Sequence, residues 1–380
     1  MNLASFMNTA NRTNLGRSAA VFACTAATVC AMGLGCLTTH AMAATSGQSE
    51  STETAATTST QATETRTVTD LSGTVVEIPA EVTSIAATYP AAEEIFLMVG
   101  ADDINVSVSS SNLDNEWMQV LYPELAEKPQ LFPSMEVDAE ALLKASPDVV
   151  VCHSEALAEQ VRALGIPAVY AMGTSPETLI DTIELVGEIV GGDAGEKAEK
   201  LVAYYKDNMA QATERTDKLT DGECTRVYYA TGSGPLNTEG NGSIVTDWIE
   251  MAGGVNVSAE NGVDGMFVDI DMEDLLAWDP EVIVTCTPEV AQEFMTDKRF
   301  ANVTAVKNGA VYASPEGAFT WCVRSADEAL MTLWAATVIQ PDLFSDIDYA
   351  EVVKDFYEEF YGYTPSDEEV EGILNPQVQE

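Results

Sequence analysis

Residues 193–219 read DAGEKAEKLVAYYKDNMAQATERTDKL. Asp193 with Glu196 three positions on is a capping-box-like helix start. Leu201, Tyr205, Met209, Ala212, Thr216 and Leu219 then recur at steps of three and four, as one face of a helix requires, and no proline interrupts them. At 1.5 Å per residue the helix would run for about 40 Å, long for a globular chain. Its significance comes from its flanks, because the sequence on its left resembles the sequence on its right.

Four matches recur in one order on the two sides. IAATYP (85–90) is echoed by YYATGS (228–233), and INVS (104–107) by VNVS (255–258). DAEALLKASPDVVV (138–151) is echoed by DMEDLLAWDPEVIV (271–284), and AVYAM (168–172) by AVYAS (310–314). One tetrapeptide is noise; four in register order, one of them fourteen residues long, are a repeat. Each long copy reads as helix, proline, then a β-branched run, the pattern of a buried parallel strand behind a helix. The expectation is an α/β fold: two lobes with parallel-sheet cores and flanking helices, 67–192 and 221–380, joined by one backbone helix, 193–220.

The chain ahead of these lobes reads differently. Arg12 and Arg17, an apolar stretch from Ala19 to Leu37 and Ala41-Met42-Ala43 make residues 1–43 an export signal with an A-x-A cleavage site. Cleavage after Ala43 is one outcome; lipid attachment at Cys36 is the other. Residues 44–66 hold Ser, Thr, Ala, Gln and Glu without a large apolar side chain, the composition of a flexible tether. An extracytoplasmic place follows, with membrane association only through a lipid anchor or a membrane partner.

The net charge is −44, from 61 Asp and Glu against 17 Lys and Arg. Such a surface repels phosphate backbones, which argues against nucleic acid as a partner. Cys152, Cys224, Cys286 and Cys322 follow the signal and show no C-x-x-C spacing. Cys286 and Cys322 lie just past predicted strands, either as a disulfide or as free thiols. His153 is the one histidine after residue 43, so a His-rich zinc or manganese site is not expected.

Strands are predicted near 84–88, 104–108, 148–152 and 167–171, then near 226–231, 255–258, 281–286 and 310–314. Helices alternate with them, and a last helix is predicted near 347–361. Parallel sheets of this kind bind ligands at the carboxyl ends of their strands. The loops there offer Tyr89, Pro133 and His153 in the first lobe, and the turn at Leu236 and Asn237 and the pair Thr287-Pro288 in the second. Pro315–Arg324, PEGAFTWCVR, adds Trp321 and Arg324: a π face and a guanidinium suited to a flat anionic or chelate ligand. Each has a structural alternative: Tyr89 as a turn residue, His153 as a satisfied strand-end histidine, Trp321 as a core plug. The glycines of 231–243 lack a Gly-Lys-Ser/Thr and a strict G-x-G-x-x-G, so they read as a ligand-facing turn rather than a phosphate loop.

The chain resembles the substrate-binding proteins of ABC importers for ferric siderophores, vitamin B12 and haem. The resemblance rests on TVTDLSGTVVEIP (67–79), IAATYPAAEEIFLMVGADD (85–103), VDAEALLKASPDVVV (137–151), GPLNTEGNGSIVTDWIEMAGGVNV (234–257), DMEDLLAWDPEVIVT (271–285) and PEGAFTW (315–321). It implies a non-enzymatic receptor that delivers a small-molecule metal chelate, first of all an iron complex, to permease and ATPase subunits. It carries no catalytic residue, protein-held metal or prosthetic group. Haem or cobalamin is the alternative ligand, with His153 or Tyr89 as the axial group. Family pocket positions fall on Tyr89, Pro133, His153, Leu236–Gly240, Trp321 and Arg324. Relatives often follow the Trp with an acid; here Cys322 follows. An enzyme on related lobes would need cluster cysteines or an acid–base pair in the cleft, and an adhesin would have no use for paired lobes.

Overall fold

The computed structural model describes residues 64–378. The predicted export signal, Cys36 and almost all of the predicted tether lie outside the described residues. The strands are β1 (Thr65–Thr69), β2 (Val75–Pro79), β3 (Ile85–Ala87), β4 (Val149–Cys152), β5 (Ala168–Tyr170) and β6 (Thr225–Ala230). They continue as β7 (Asn237–Thr238), β8 (Gly254–Asn256), β9 (Val268–Asp269), β10 (Val282–Thr285) and β11 (Val311–Ala313).

The repeat in sequence is a repeat in topology. In the first lobe β3, β4 and β5 pair in parallel in that order, and a bridge from Ile85 to Asn105 sets the chain on the far side of β3. In the second lobe the parallel order is β11-β10-β6-β8. Each strand therefore lies where its sequence counterpart lies. All four residues of β4 and of β10 are buried, which is why both segments are nearly continuous Val and Ile. An antiparallel hairpin, β1–β2, is held to the edge of β5 by Leu71 N–H donating to Tyr170 O and Tyr170 N–H donating to Asp70. It starts at Thr65, two residues before the expected lobe boundary.

The joining helix runs Gly192–Thr216. It begins one residue before Asp193, and no side chain caps it. Gly191, at φ 72°, turns the chain so sharply out of the helix Pro176–Val190 that the two helices abut. Gly187 on one and Ala198 on the other let the backbones touch: a Cβ on Gly187 would stand 2.5 Å from the Ala198 Cβ. Leu201, Tyr205, Ala212 and Thr216 are buried as the periodicity predicts. The far half belongs to the second lobe. Asn208 donates to Ala329 O, Thr216 to Met251 O, and Arg215 forks onto Asp346 at 2.6 and 3.0 Å. Among the described residues no helix is long and apolar enough to cross a membrane.

Candidate functional site in the cleft between the lobes

The carboxyl end of the second-lobe sheet, at Tyr229, Thr231 and Cys286, faces a cleft of about 530 Å³ whose opposite wall comes from the first lobe. The first lobe supplies Asp114 to Trp117, which join the short helices Ser110–Asp114 and Glu116–Leu121. Ser109 and Asn115 cap these helices with their side chains, so a stretch without a long apolar period still folds as two helical turns. The second lobe supplies Tyr229 and Glu239, Cys286 to Glu289, and the loop Glu316 to Val323. Asn115 Nδ2 donates to Ala318 O at 3.2 Å, tying the walls together at one end.

The cleft is acidic. Asp114, Glu116, Glu239, Glu289 and Glu316 line it, and among the described residues no Lys, Arg or His does. Burial raises Glu316 above the usual carboxylate range. Burial also raises Glu239, against the opposing pull of Arg324. Trp117 and Phe267 provide the aromatic surface. Trp117 is braced edge-on by Tyr357 at 5.4 Å and Tyr363 at 5.9 Å.

A smaller hollow of about 10 Å³ lies in the first lobe beside the hydroxyl-bearing residues Thr88, Ser109, Ser110, Ser111 and Ser134. Glu93 also lines it, accepting from Ser109 N–H at 2.8 Å and Asn112 Nδ2 at 2.9 Å. Burial pushes Glu93 up to about 7 despite these donors. Ser134 and Met135 hold left-handed backbone, φ 56° and 59°, at its rim.

The residues singled out from sequence do not converge on one cavity. Tyr89 is buried, and its hydroxyl donates to Ala171 O at 2.5 Å. His153 is beside it, rings 6.1 Å apart and edge-on, with Nδ1 2.9 Å from Thr88 Oγ1; burial lowers its pKa. Neither lines the cleft. Pro133 is exposed at the rim of the hollow. Leu236 is half-buried, and Asn237 pins β7 to β9 by donating to Asp269 at 2.7 Å. Trp321, expected to show a face to the cleft, is fully buried against Tyr349, ring centroids 6.0 Å apart. The reason is its loop: Trp321 N–H and Cys322 N–H bond back to Pro315 O and Ser314 Oγ, folding the ring inward. Arg324 is buried and ion-paired with Glu239 at 2.8 Å. Cys286 and Cys322 are buried free thiols, and Cys322 Sγ is 3.4 Å from the Tyr229 hydroxyl.

Sequence reasoning named three of the right loops but not the side chains that line the cleft. Glu239 sits inside the Leu236–Gly240 turn, Glu289 follows Thr287-Pro288, and Glu316 opens the Pro315–Arg324 loop. Trp117 fell between the predicted elements and had no such signal.

The sequence pattern of the periplasmic binding protein family matches residues 85–318. The molybdate-binding protein MolA of Haemophilus influenzae is 28% identical over 267 residues, spanning 63% of this chain and 74% of MolA. The molybdate-bound structure of MolA superposes with a TM-score of 0.70 at 25% identity, over 79% of this chain and 99% of that one. A periplasmic solute binding protein of Veillonella parvula gives a TM-score of 0.71 at 29% identity, over 82% and 97%. A cobalamin-binding protein of Halobacterium salinarum is 23% identical over 252 residues, 64% of this chain and 65% of its own length. These relatives are solute-binding proteins rather than enzymes, and with the family pattern reaching from β3 across the joining helix to the cleft loop, this chain belongs to the periplasmic binding protein family of ABC importers.

Proposed function

We propose that this protein is an extracytoplasmic receptor that captures a whole metal complex, neutral or cationic, in the inter-lobe cleft and hands it to an ABC permease and its ATPase. The charge of the cleft carries the reading: five carboxylates line it and no cation does among the described residues. At an effective dielectric constant of about 20, a unit charge about 6 Å from a carboxylate feels roughly 3 kcal/mol, attractive for a cation and repulsive for an anion. The volume suits a small organic or chelate ligand rather than a bare ion. Trp117 and Phe267 offer apolar walls to the organic shell of such a complex.

An iron complex such as a ferric siderophore is the first candidate, and a corrinoid, the ligand class named for the Halobacterium relative, is the second. Haem ranks lower, because the Tyr89 hydroxyl and His153 Nδ1 are already engaged inside the first lobe. The export-signal pattern read in residues 1–43 supports the extracytoplasmic place.

A different reading, a free tetrahedral oxyanion, is favoured by the likeness to MolA and by the hydroxyl-lined hollow. Against it, the hollow has room for about one water, and the Glu93 carboxyl lines it.

Native mass spectrometry of the purified protein with ferrichrome, ferrioxamine B, cyanocobalamin, haemin, ferric citrate and molybdate tests the proposal. A one-to-one adduct with a neutral or cationic complex is expected. Retention of molybdate alone would replace it with the oxyanion reading.

A further inference from the structure

Arg324 is paired with a residue that lines the cleft, yet it takes no part in lining it. Glu239 stands in front of it. Their ion pair is 2.8 Å long, with the Arg324 and Glu239 side chains 5% and 2% exposed, and Glu239 alone of the two reaches the cleft. Met266 and Phe267 also lie against the guanidinium. Met266 Sδ lies 2.6 Å from the same terminal nitrogen, and the Phe267 ring lies 5.8 Å from the guanidinium carbon. Phe267 holds this place at φ 57°, a left-handed backbone that is costly for a bulky side chain. The Arg324 Nε–H is buried without a partner. Glu239 is itself fixed: its own carbonyl accepts from Asn256 Nδ2 at 3.1 Å.

We propose that Glu239 is a specificity-determining residue that engages Arg324 at Nη2, in the place of an external anion, and so closes the cleft to anionic ligands. The proposal rests on the reading of the cleft as the ligand site and names what selects the ligand there. A carboxylate on a guanidinium is the internal equivalent of the oxyanion such an arginine would otherwise take. With the pair intact, Arg324 contributes no net charge to the cleft, and the remaining carboxylates set its sign. An anionic ligand would have to displace a buried, charge-assisted hydrogen bond. A neutral or cationic ligand has no such barrier.

Glu239→Gln keeps the shape of the side chain and removes its charge, leaving the guanidinium uncompensated beneath the cleft. Calorimetry with molybdate as the anion probe should show binding that is weak in the wild type and at least tenfold tighter in Glu239→Gln, and the gain should vanish in Glu239→Gln/Arg324→Gln. Arg324→Gln alone gives an independent arm: it leaves Glu239 unneutralised, so a cationic ferric trihydroxamate should bind several-fold tighter. Thermal melts confirm that each variant is folded; should Glu239→Gln not fold, the Arg324→Gln arm decides. The proposal is overturned by an unchanged molybdate affinity in folded Glu239→Gln, or by weaker trihydroxamate binding in folded Arg324→Gln. Should the wild type bind no metal complex at all, the reading of the cleft fails instead; a wild type that binds the complex while neither variant shifts selectivity sinks this inference alone.

Discussion

Glu94 of the first lobe reaches across to Asp327 of the second: its carboxylate accepts from Asp327 N–H at 3.2 Å and from Ala326 N–H at 3.0 Å. Tyr361 bridges the two acids, its hydroxyl 3.1 Å from Glu94 and 2.7 Å from Asp327. Burial pushes Glu94 well above the usual carboxylate range, and the Asp327 charge pushes it further. Burial lifts Asp327 to about 6 even though Tyr361 and the Phe319 amide favour its charged form. Folded pKa values above the unfolded ones mean that the folded chain holds protons the unfolded chain releases. The stabilising contribution is complete below about pH 4 and is lost as pH rises through 6 and beyond. Calorimetric melting should therefore give a higher Tm at pH 5 than at pH 8. Glu94→Gln should flatten that dependence and lower Tm at both pH values, since the amide cannot accept from all three donors, a loss of about 1–3 kcal/mol.

Glu328 is a buried carboxylate with no partner on either oxygen, and burial raises its pKa strongly. Glu328→Met fills the same space without the charge and should raise Tm at pH 8 more than at pH 5. At about 2–4 °C per kcal/mol for a domain of this size, a gain of a few degrees is expected in a pH-dependent melt.

Gly187→Ala would place its methyl against the Ala198 methyl, where two rigid helices meet. Overpacking of this kind costs typically about 1–3 kcal/mol. Chemical denaturation should show the loss in the midpoint with the slope unchanged.

Two tryptophans should behave oppositely. Trp321→Ala removes a fully buried ring and should destabilise the second lobe by about 3–5 kcal/mol. Trp117→Ala removes a ring that lines the cleft and should weaken ligand binding, read by titration of the ferric complex, at a smaller cost in Tm.

The contrast between Trp321 and Trp117 marks what the sequence could and could not disclose. Strand and helix order was legible because Val149–Cys152 and Val282–Thr285 are apolar throughout and each follows a helix and a proline. The joining helix was legible from its own period. A ring in a loop has no period, so nothing local says whether it turns inward, and at Trp321 the decision lies with hydrogen bonds to Ser314 and Pro315. The Arg324–Glu239 pair joins residues 85 positions apart, and only the folded chain sets one charge against the other. Arg324 read in isolation suggests an anion; paired, it leaves the cleft acidic.

Charge preference is the direct consequence of the acidic cleft. Isothermal titration of the wild-type protein with ferrioxamine B, a cationic ferric complex, and with ferric citrate, an anionic one, measures it. Ferrioxamine B should bind one-to-one at least tenfold more tightly, with an affinity that falls as salt is raised. Tighter binding of ferric citrate would contradict it.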